Sequence, residues 1–184
     1  MSEVNVFFAD GFEEVEGLTV VDLLRRAGIS VETVSIMGRE EITSSHQVKL
    51  KADVLFEDAD FEETKMIVLP GGLPGTNYLK EHEGLKELIL KFEKEGKYLA
   101  AICAAPTVYG GLGLLDGRRA TCFPAMEDGL GGAVLVREPA VTDGNITTGR
   151  GMGAGIDFAL RLIEILRDKA AADEVAEKIV YTRR

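Results

Sequence analysis

Short apolar runs that alternate with helix-like stretches narrow the possible folds of this chain more than any other feature. Val4-Asn5-Val6-Phe7-Phe8-Ala9, Met66-Ile67-Val68-Leu69 and Tyr98-Leu99-Ala100-Ala101-Ile102 are each a few residues long and apolar at almost every position. A strand that is apolar on both faces must be covered on both faces, as in a parallel sheet sandwiched between helices. Residues 29–36 read as a further, alternating strand, and 119–122, 140–142 and 146–148 as short ones. Residues 47–52 suit a half-exposed strand or hairpin arm. Helical spacing marks a segment containing Val15, Leu18, Thr19, Val21, Asp22, Leu23 and Leu24 that stops at Gly28, and then 77–80, 83–95, 104–115, 156–167 and 173–180. Strand and helix alternate throughout, which predicts an α/β fold: a mostly parallel sheet with helices on both faces, in one domain over 1–184.

Charge and cysteine usage exclude several function classes. Lys plus Arg is 21 and Asp plus Glu is 31, a net charge of −10. That balance argues against a nucleic-acid duplex or an anionic membrane surface as partner. No apolar run approaches the ~18–20 residues that span a bilayer. The N-terminus lacks a basic segment followed by an apolar one, so the cytoplasm is the expected location. Cys103 and Cys122 are the only cysteines, and His46 and His82 lie far apart, so neither a disulfide scaffold nor a metal site is expected. Gly149-Arg150-Gly151-Met152-Gly153-Ala154-Gly155 resembles a dinucleotide-binding pattern. It comes late, with no following strand that bears a ribose-binding acid, and no cofactor is expected.

In sheets of this kind the working site lies beyond the carboxyl ends of the strands. That rule selects residues 10–16, 70–75, 103–106 and 149–153. In Ala100-Ala101-Ile102-Cys103-Ala104-Ala105-Pro106 an apolar strand meets a helix with a cysteine at the junction, and small neighbours permit a sharp nucleophile elbow. A helix N-terminus aimed at the sulfur lowers a thiol from ~8.5 towards 7 and favours the reactive thiolate. The other reading of Cys103 is a small packed hydrophobe. Gly71 and Gly72, after a buried strand, allow a tight turn, and the N–H groups of Gly72 and Ala104 together form a candidate oxyanion hole. Among the acids of Gly11-Phe12-Glu13-Glu14-Val15-Glu16, one pushed into an apolar pocket would have a raised pKa and could exchange a proton with the thiol.

The ordered segments GFEEVE, LPGG, AAICAAPT and TTGRGMGAGIDFAL resemble the DJ-one/ThiJ/PfpI superfamily, in its DJ-one/ThiJ branch, over nearly the whole chain. AAICAAPT is the specific part. The resemblance implies a flavodoxin-like three-layer sandwich, usually a homodimer. It places the oxidisable nucleophile at Cys103, the partner acid at Glu16 and the oxyanion-hole glycine at Gly72. It also implies a function without cofactor or metal: glyoxalase III-type conversion of methylglyoxal-like aldehydes, or removal of their adducts. The alternative it offers is a redox sensor or holdase acting through oxidation of Cys103. The PfpI branch has His directly after the cysteine, where this chain has Ala104, which speaks against a Cys-His peptidase or amidase. A family His near the site is matched by Phe123.

Other residues carry weaker expectations. Cys122 is either a second redox thiol or buried packing. His46 is a loop residue that a partner subunit could bring to the pocket, and His82 is a surface residue. Arg150 either binds an anion near the pocket or forms a structural ion pair. Asp22 is expected in a buried salt bridge on the first helix.

Overall fold

The computed structural model describes residues 2–182. In chain order the strands are β1 (Val4–Phe8), β2 (Val31–Ser35), β3 (Glu41–Thr43), β4 (Lys49–Lys51), β5 (Val54–Leu55), β6 (Met66–Leu69), β7 (Tyr98–Ile102), β8 (Arg119–Ala120), β9 (Val134–Leu135), β10 (Ala140–Asp143) and β11 (Ile146–Gly149). The helices are α1 (Glu14–Arg26), α2 (Gly75–Glu81), α3 (Glu83–Glu95), α4 (Pro106–Gly111), α5 (Gly155–Leu166) and α6 (Lys169–Lys178). A seven-stranded sheet runs β10-β11-β7-β6-β1-β2-β5, and only β10 is antiparallel to its neighbour. This is the flavodoxin-like, mostly parallel architecture.

The two-residue period of the strands sorts their side chains between two cores. Val4, Val6 and Phe8 join Met66, Val68, Ala100 and Ile102 against α1, α5 and α6. Phe7, Ile67, Leu69, Leu99 and Ala101 face the opposite way, against α2, α3 and α4. Both faces are therefore helix-covered, as the uniformly apolar strands require. Strand β2 is not half-exposed: only Glu32 escapes burial, because Val31 packs into the first core and Val34 into the second.

Several boundaries move. The helix expected over 104–115 is only α4, six residues long, because glycines at 110, 111 and 113 weaken its continuation and Gly113 adopts φ +73°. Residues 121–122 leave the strand, and Pro124–Leu130 forms a 3-10 turn. The hairpin arm at Lys49–Lys51 pairs with β3.

Helix α1 is turned relative to its expected face. Its buried positions are Glu16, Gly17, Val20, Val21, Leu23 and Leu24, while Val15 and Leu18 are exposed. Asp22 is exposed as well. It pairs with Arg26 at 2.7 Å on the solvent side, so the expected buried salt bridge does not exist.

Chain reversal between β1, which leads to β2 on one side, and β6 on the other creates a switch point. The loops after β1, β6, β7 and β11 converge at this end of the sheet, where the open crevice of such folds lies.

Candidate active site

Cys103 follows the last residue of β7 and adopts φ +65°, a left-handed conformation that is sterically unfavourable for a residue with a Cβ. Such a conformation costs on the order of 1–3 kcal/mol and persists only when its surroundings impose it. Here the Cys103 N–H donates to the Gly149 carbonyl at 2.9 Å, and the Phe123 N–H donates to the Cys103 carbonyl at 2.8 Å. Below the turn, the Tyr109 hydroxyl donates to the Ala100 carbonyl at 2.9 Å. The cysteine is thus presented at a clamped elbow, partly exposed.

Glu16 reaches the same place from α1. The Glu13 carboxylate caps that helix by accepting from the Glu16 N–H at 2.7 Å. This fixes the helix start and puts Glu16 on the inward stripe with Val20, Leu23 and Leu24. Glu16 is fully buried. One carboxyl oxygen, Oε2, accepts from the Gly71 N–H at 3.0 Å, while Oε1 is buried without a hydrogen bond of good geometry. The Glu13 N–H in turn donates to the Gly71 carbonyl at 2.9 Å, so the two loops hold each other.

Burial raises the Glu16 pKa to about 7, helped by the nearby Glu13 charge and opposed by the interactions with Cys103 and Gly71. Burial also pushes the Cys103 thiol up, and the Glu16 carboxylate adds to the rise. The N–H groups of Ala104 and Gly72 lie at the sulfur and pull the other way. This corrects the expectation of a thiol lowered by a helix end. The next helix begins only at Pro106, so two backbone N–H groups face the sulfur rather than a helix terminus. Thiol and carboxyl form a coupled pair. With Glu16 poised near neutrality, the carboxylate is available to take the thiol proton as the sulfur reacts.

Gly71 and Gly72 are required by contact. A Cβ at Gly71 would stand 2.6 Å from the Cys103 Cβ and 2.7 Å from Glu16 Oε2. Gly72, at φ +92°, would meet the Glu13 backbone nitrogen at 2.4 Å. Gly151 borders the sulfur itself: its Cβ would lie 4.0 Å from Cys103 Sγ and 3.6 Å from the Phe123 ring. Gly151, Phe123 and Arg150 also line a cavity of about 440 Å³, with Pro124, Arg137, Pro139 and Met152. The structure therefore brings together Cys103, Glu16, Gly71, Gly72, Ala104 and Phe123. Gly151, Arg137 and the Gly149 carbonyl are additions. The strand-end rule covered Gly149 and Gly151, but nothing in the spacing marked Arg137.

His46 is not part of this cluster. It is exposed, and its Nδ1 pairs with Glu14 at 2.9 Å. Its ligand atoms and those of Glu13 and Glu14 fall within 4.8 Å of one another, but Glu13 already caps α1. His82 is more than a surface residue: Nδ1 accepts from the Leu85 N–H at 3.0 Å to cap α3, and its ring packs on Phe56. Cys122 is fully buried, and burial together with the Glu127 charge raises its thiol to about 11. That is the packing alternative. Arg150 pairs with Glu127 at 3.6 Å. Among the described residues no helix is long and apolar enough to cross a membrane.

A flavodoxin-like sheet with a strained cysteine elbow facing a buried carboxyl group defines the class of α/β protein to which this chain is to be compared. The family model for the DJ-1/PfpI family matches residues 2–165, and the chain belongs to that family. It is 36% identical to protein dj-1beta of Drosophila melanogaster over 177 residues, 95% of each chain. It is 37% identical over 174 residues to DJ-1 homolog B of Arabidopsis thaliana, covering 94% of this chain and 40% of that one. The chain thus spans less than half the length of the Arabidopsis relatives, homologs A and B. An enzyme also lies among the relatives: isonitrile hydratase of Pseudomonas putida is 37% identical over 142 residues, 76% of this chain and 61% of that one. Among solved structures, oxidized DJ-1 of Toxoplasma gondii superposes with a TM-score of 0.95 at 33% identity over 100% of both chains. A DJ-1 superfamily protein of Salmonella typhimurium in which alanine replaces a cysteine superposes at 0.94 with 34% identity, again over 100% of both.

Proposed function

We propose that this protein is a cysteine-dependent enzyme of the glyoxalase III or deglycase type, acting without cofactor on methylglyoxal-like aldehydes or their adducts. The observation that carries the reading is the buried Glu16 carboxyl, raised to about 7, beside a Cys103 sulfur that faces two backbone N–H groups. The Cys103 sulfur attacks the aldehyde carbon while its proton passes to the Glu16 carboxylate. The new alkoxide is received by the N–H groups of Gly72 and Ala104. Glu16 returns the thiol proton to that alkoxide, giving a neutral hemithioacetal, and the freed carboxylate then moves a proton from the former aldehyde carbon to its neighbour through an enediol. Water hydrolyses the resulting thioester to a 2-hydroxy acid and frees the thiol. One water enters and no electrons leave, so no redox partner is needed.

Methylglyoxal incubated with the protein tests this directly. Lactate is expected from the wild type, and a loss of at least a hundredfold in both Cys103→Ser and Glu16→Gln. Equal turnover by Cys103→Ser would overturn the reading.

A second reading is supported by the oxidized Toxoplasma relative: Cys103 is oxidised to a sulfinate and the protein works as a redox sensor or holdase. The same two N–H groups would hold the sulfinate oxygens. Absence of lactate together with sulfinate formation under mild peroxide favours this reading. We place either activity in the cytoplasm, where free thiols such as Cys103 and Cys122 persist. We also propose a homodimer, supported by exposed Val15 and Leu18 side by side on α1.

A further inference from the structure

The cavity against Gly151 has an unusual charge arrangement for a chain of net charge −10. Its apolar walls are Phe123, Pro124, Pro139 and Met152, and two guanidinium groups, Arg137 and Arg150, complete it. Both lean on one carboxylate. Arg137 Nη2 donates to Glu127 Oε2 at 3.2 Å, and Arg150 Nη1 stands 3.6 Å from Glu127 Oε1. That second distance permits an ion pair but exceeds hydrogen-bond reach, and Arg150 Nη1 is buried with no acceptor. Nη1 itself is closed off, so a ligand oxygen in the cavity would meet the rest of the guanidinium, for which no described residue supplies an acceptor, and would relieve the cost of this loosely held charge. Two positive groups against one negative leave one net positive charge at the wall, next to the glycine that borders the Cys103 sulfur.

We propose that the cavity is an anion subsite, and that the preferred substrates are short 2-oxoaldehydes whose far end carries a carboxylate, held by Arg150 with Arg137. This rests on the enzymatic reading given above and specifies its substrate class. A carboxylate balances the single net charge, whereas a phosphate monoester, at ≈ −1.5 to −2, overfills it. Arg150 is the better anchor, because it is mostly buried while the Arg137 side chain is 68% exposed. The reaction is unchanged: the thiol adds at the aldehyde, Glu16 carries the proton, and one water releases a 2-hydroxy acid with its second carboxylate intact.

The test compares 4,5-dioxopentanoate with 2-oxopentanal, which has a methyl in place of the carboxylate. Wild type is expected to prefer the anion at least tenfold in kcat/KM, with the ratio collapsing in Arg150→Gln and falling a few fold in Arg137→Ala. A wild-type ratio near one, or an unchanged ratio in Arg150→Gln, overturns the proposal. Stronger inhibition by inorganic phosphate than by pentanoate also overturns the carboxylate assignment. A second measurement needs no turnover: pentanoate, but not pentan-1-ol, should slow alkylation of Cys103 by iodoacetamide in the wild type, and not in Arg150→Gln. Protection without turnover of either aldehyde sinks the enzymatic reading and leaves the subsite standing. Equal effects of the acid and the alcohol sink the subsite.

Discussion

Gly71 lies so close to Cys103 that one added methyl group would stand 2.6 Å from the cysteine Cβ. The same methyl would stand 2.9 Å from the Ile102 carbonyl, which belongs to a strand that cannot yield. Gly71→Ala should therefore separate the Glu16 loop from the elbow. The expected result is a destabilisation of about 1–3 kcal/mol, as for other overpacked sites, and at least a tenfold loss of activity. Gly96→Ala is the control. It too is left-handed, at φ +69°, but nothing lies within 4 Å. It should cost about 1 kcal/mol with activity intact. Urea unfolding and lactate assays of both variants check this, and equal activity losses would contradict it.

The raised Glu16 pKa has a thermodynamic sign. Between the unfolded value of 4.5 and the folded value of about 7, the native state binds the proton more tightly than the unfolded one. Stability attached to this group is therefore full below pH 4.5 and is lost as pH rises through about 7. The loss is on the order of 3 kcal/mol for a shift of this size. Glu16→Gln removes it, so the variant should be more stable than the wild type at pH 8 and close to it at pH 4.5. Denaturant titrations at the two pH values decide, and parallel pH profiles would refute the assignment.

Removing the Glu16 charge should also make the thiol easier to ionise, since that carboxylate helps to push it up. Thiolate absorbance against pH is expected to show a lower midpoint for Cys103 in Glu16→Gln than in the wild type. The variant is nonetheless expected to be inactive, because the base is gone. A higher midpoint in the variant would mean that Glu16 acts mainly as a donor to the thiolate.

Phe123 occupies the edge of the cavity with 46% of its surface exposed. Phe123→His should alter stability by less than about 1 kcal/mol, because little burial is lost. An imidazole there offers a second proton carrier, so kcat/KM for methylglyoxal should rise severalfold. An unchanged rate would show that Glu16 alone handles the proton.

Much of this architecture was legible beforehand because buried parallel strands leave a plain signature: β6 and β7 lie where their apolar runs lie. Cys103, Gly72 and Ala104 were legible for a related reason, as residues just past strand ends. The face of α1 was harder to read. Its inner stripe includes a glutamate, and hydrophobic spacing alone assigns Val15 and Leu18 to the core in place of Glu16 and Val20. The charge environment of the sulfur was not legible either. The direction of the thiol shift depends on burial and on the Glu16 carboxylate, contacts made across the sheet. Arg137 reaches the cavity only through the loop geometry that precedes β10.

The two hydrogen bonds that clamp Cys103 come from Phe123 and Gly149, both later in the chain than the cysteine they hold. A nascent polypeptide that has emerged only as far as α4 possesses the thiol but not the brace, and its backbone at that point is free to relax to an ordinary extended form. The elbow is consequently completed only when β11 has docked beside β7, so the chemistry proposed for Cys103 with Glu16 belongs to the finished fold and not to a half-synthesised chain.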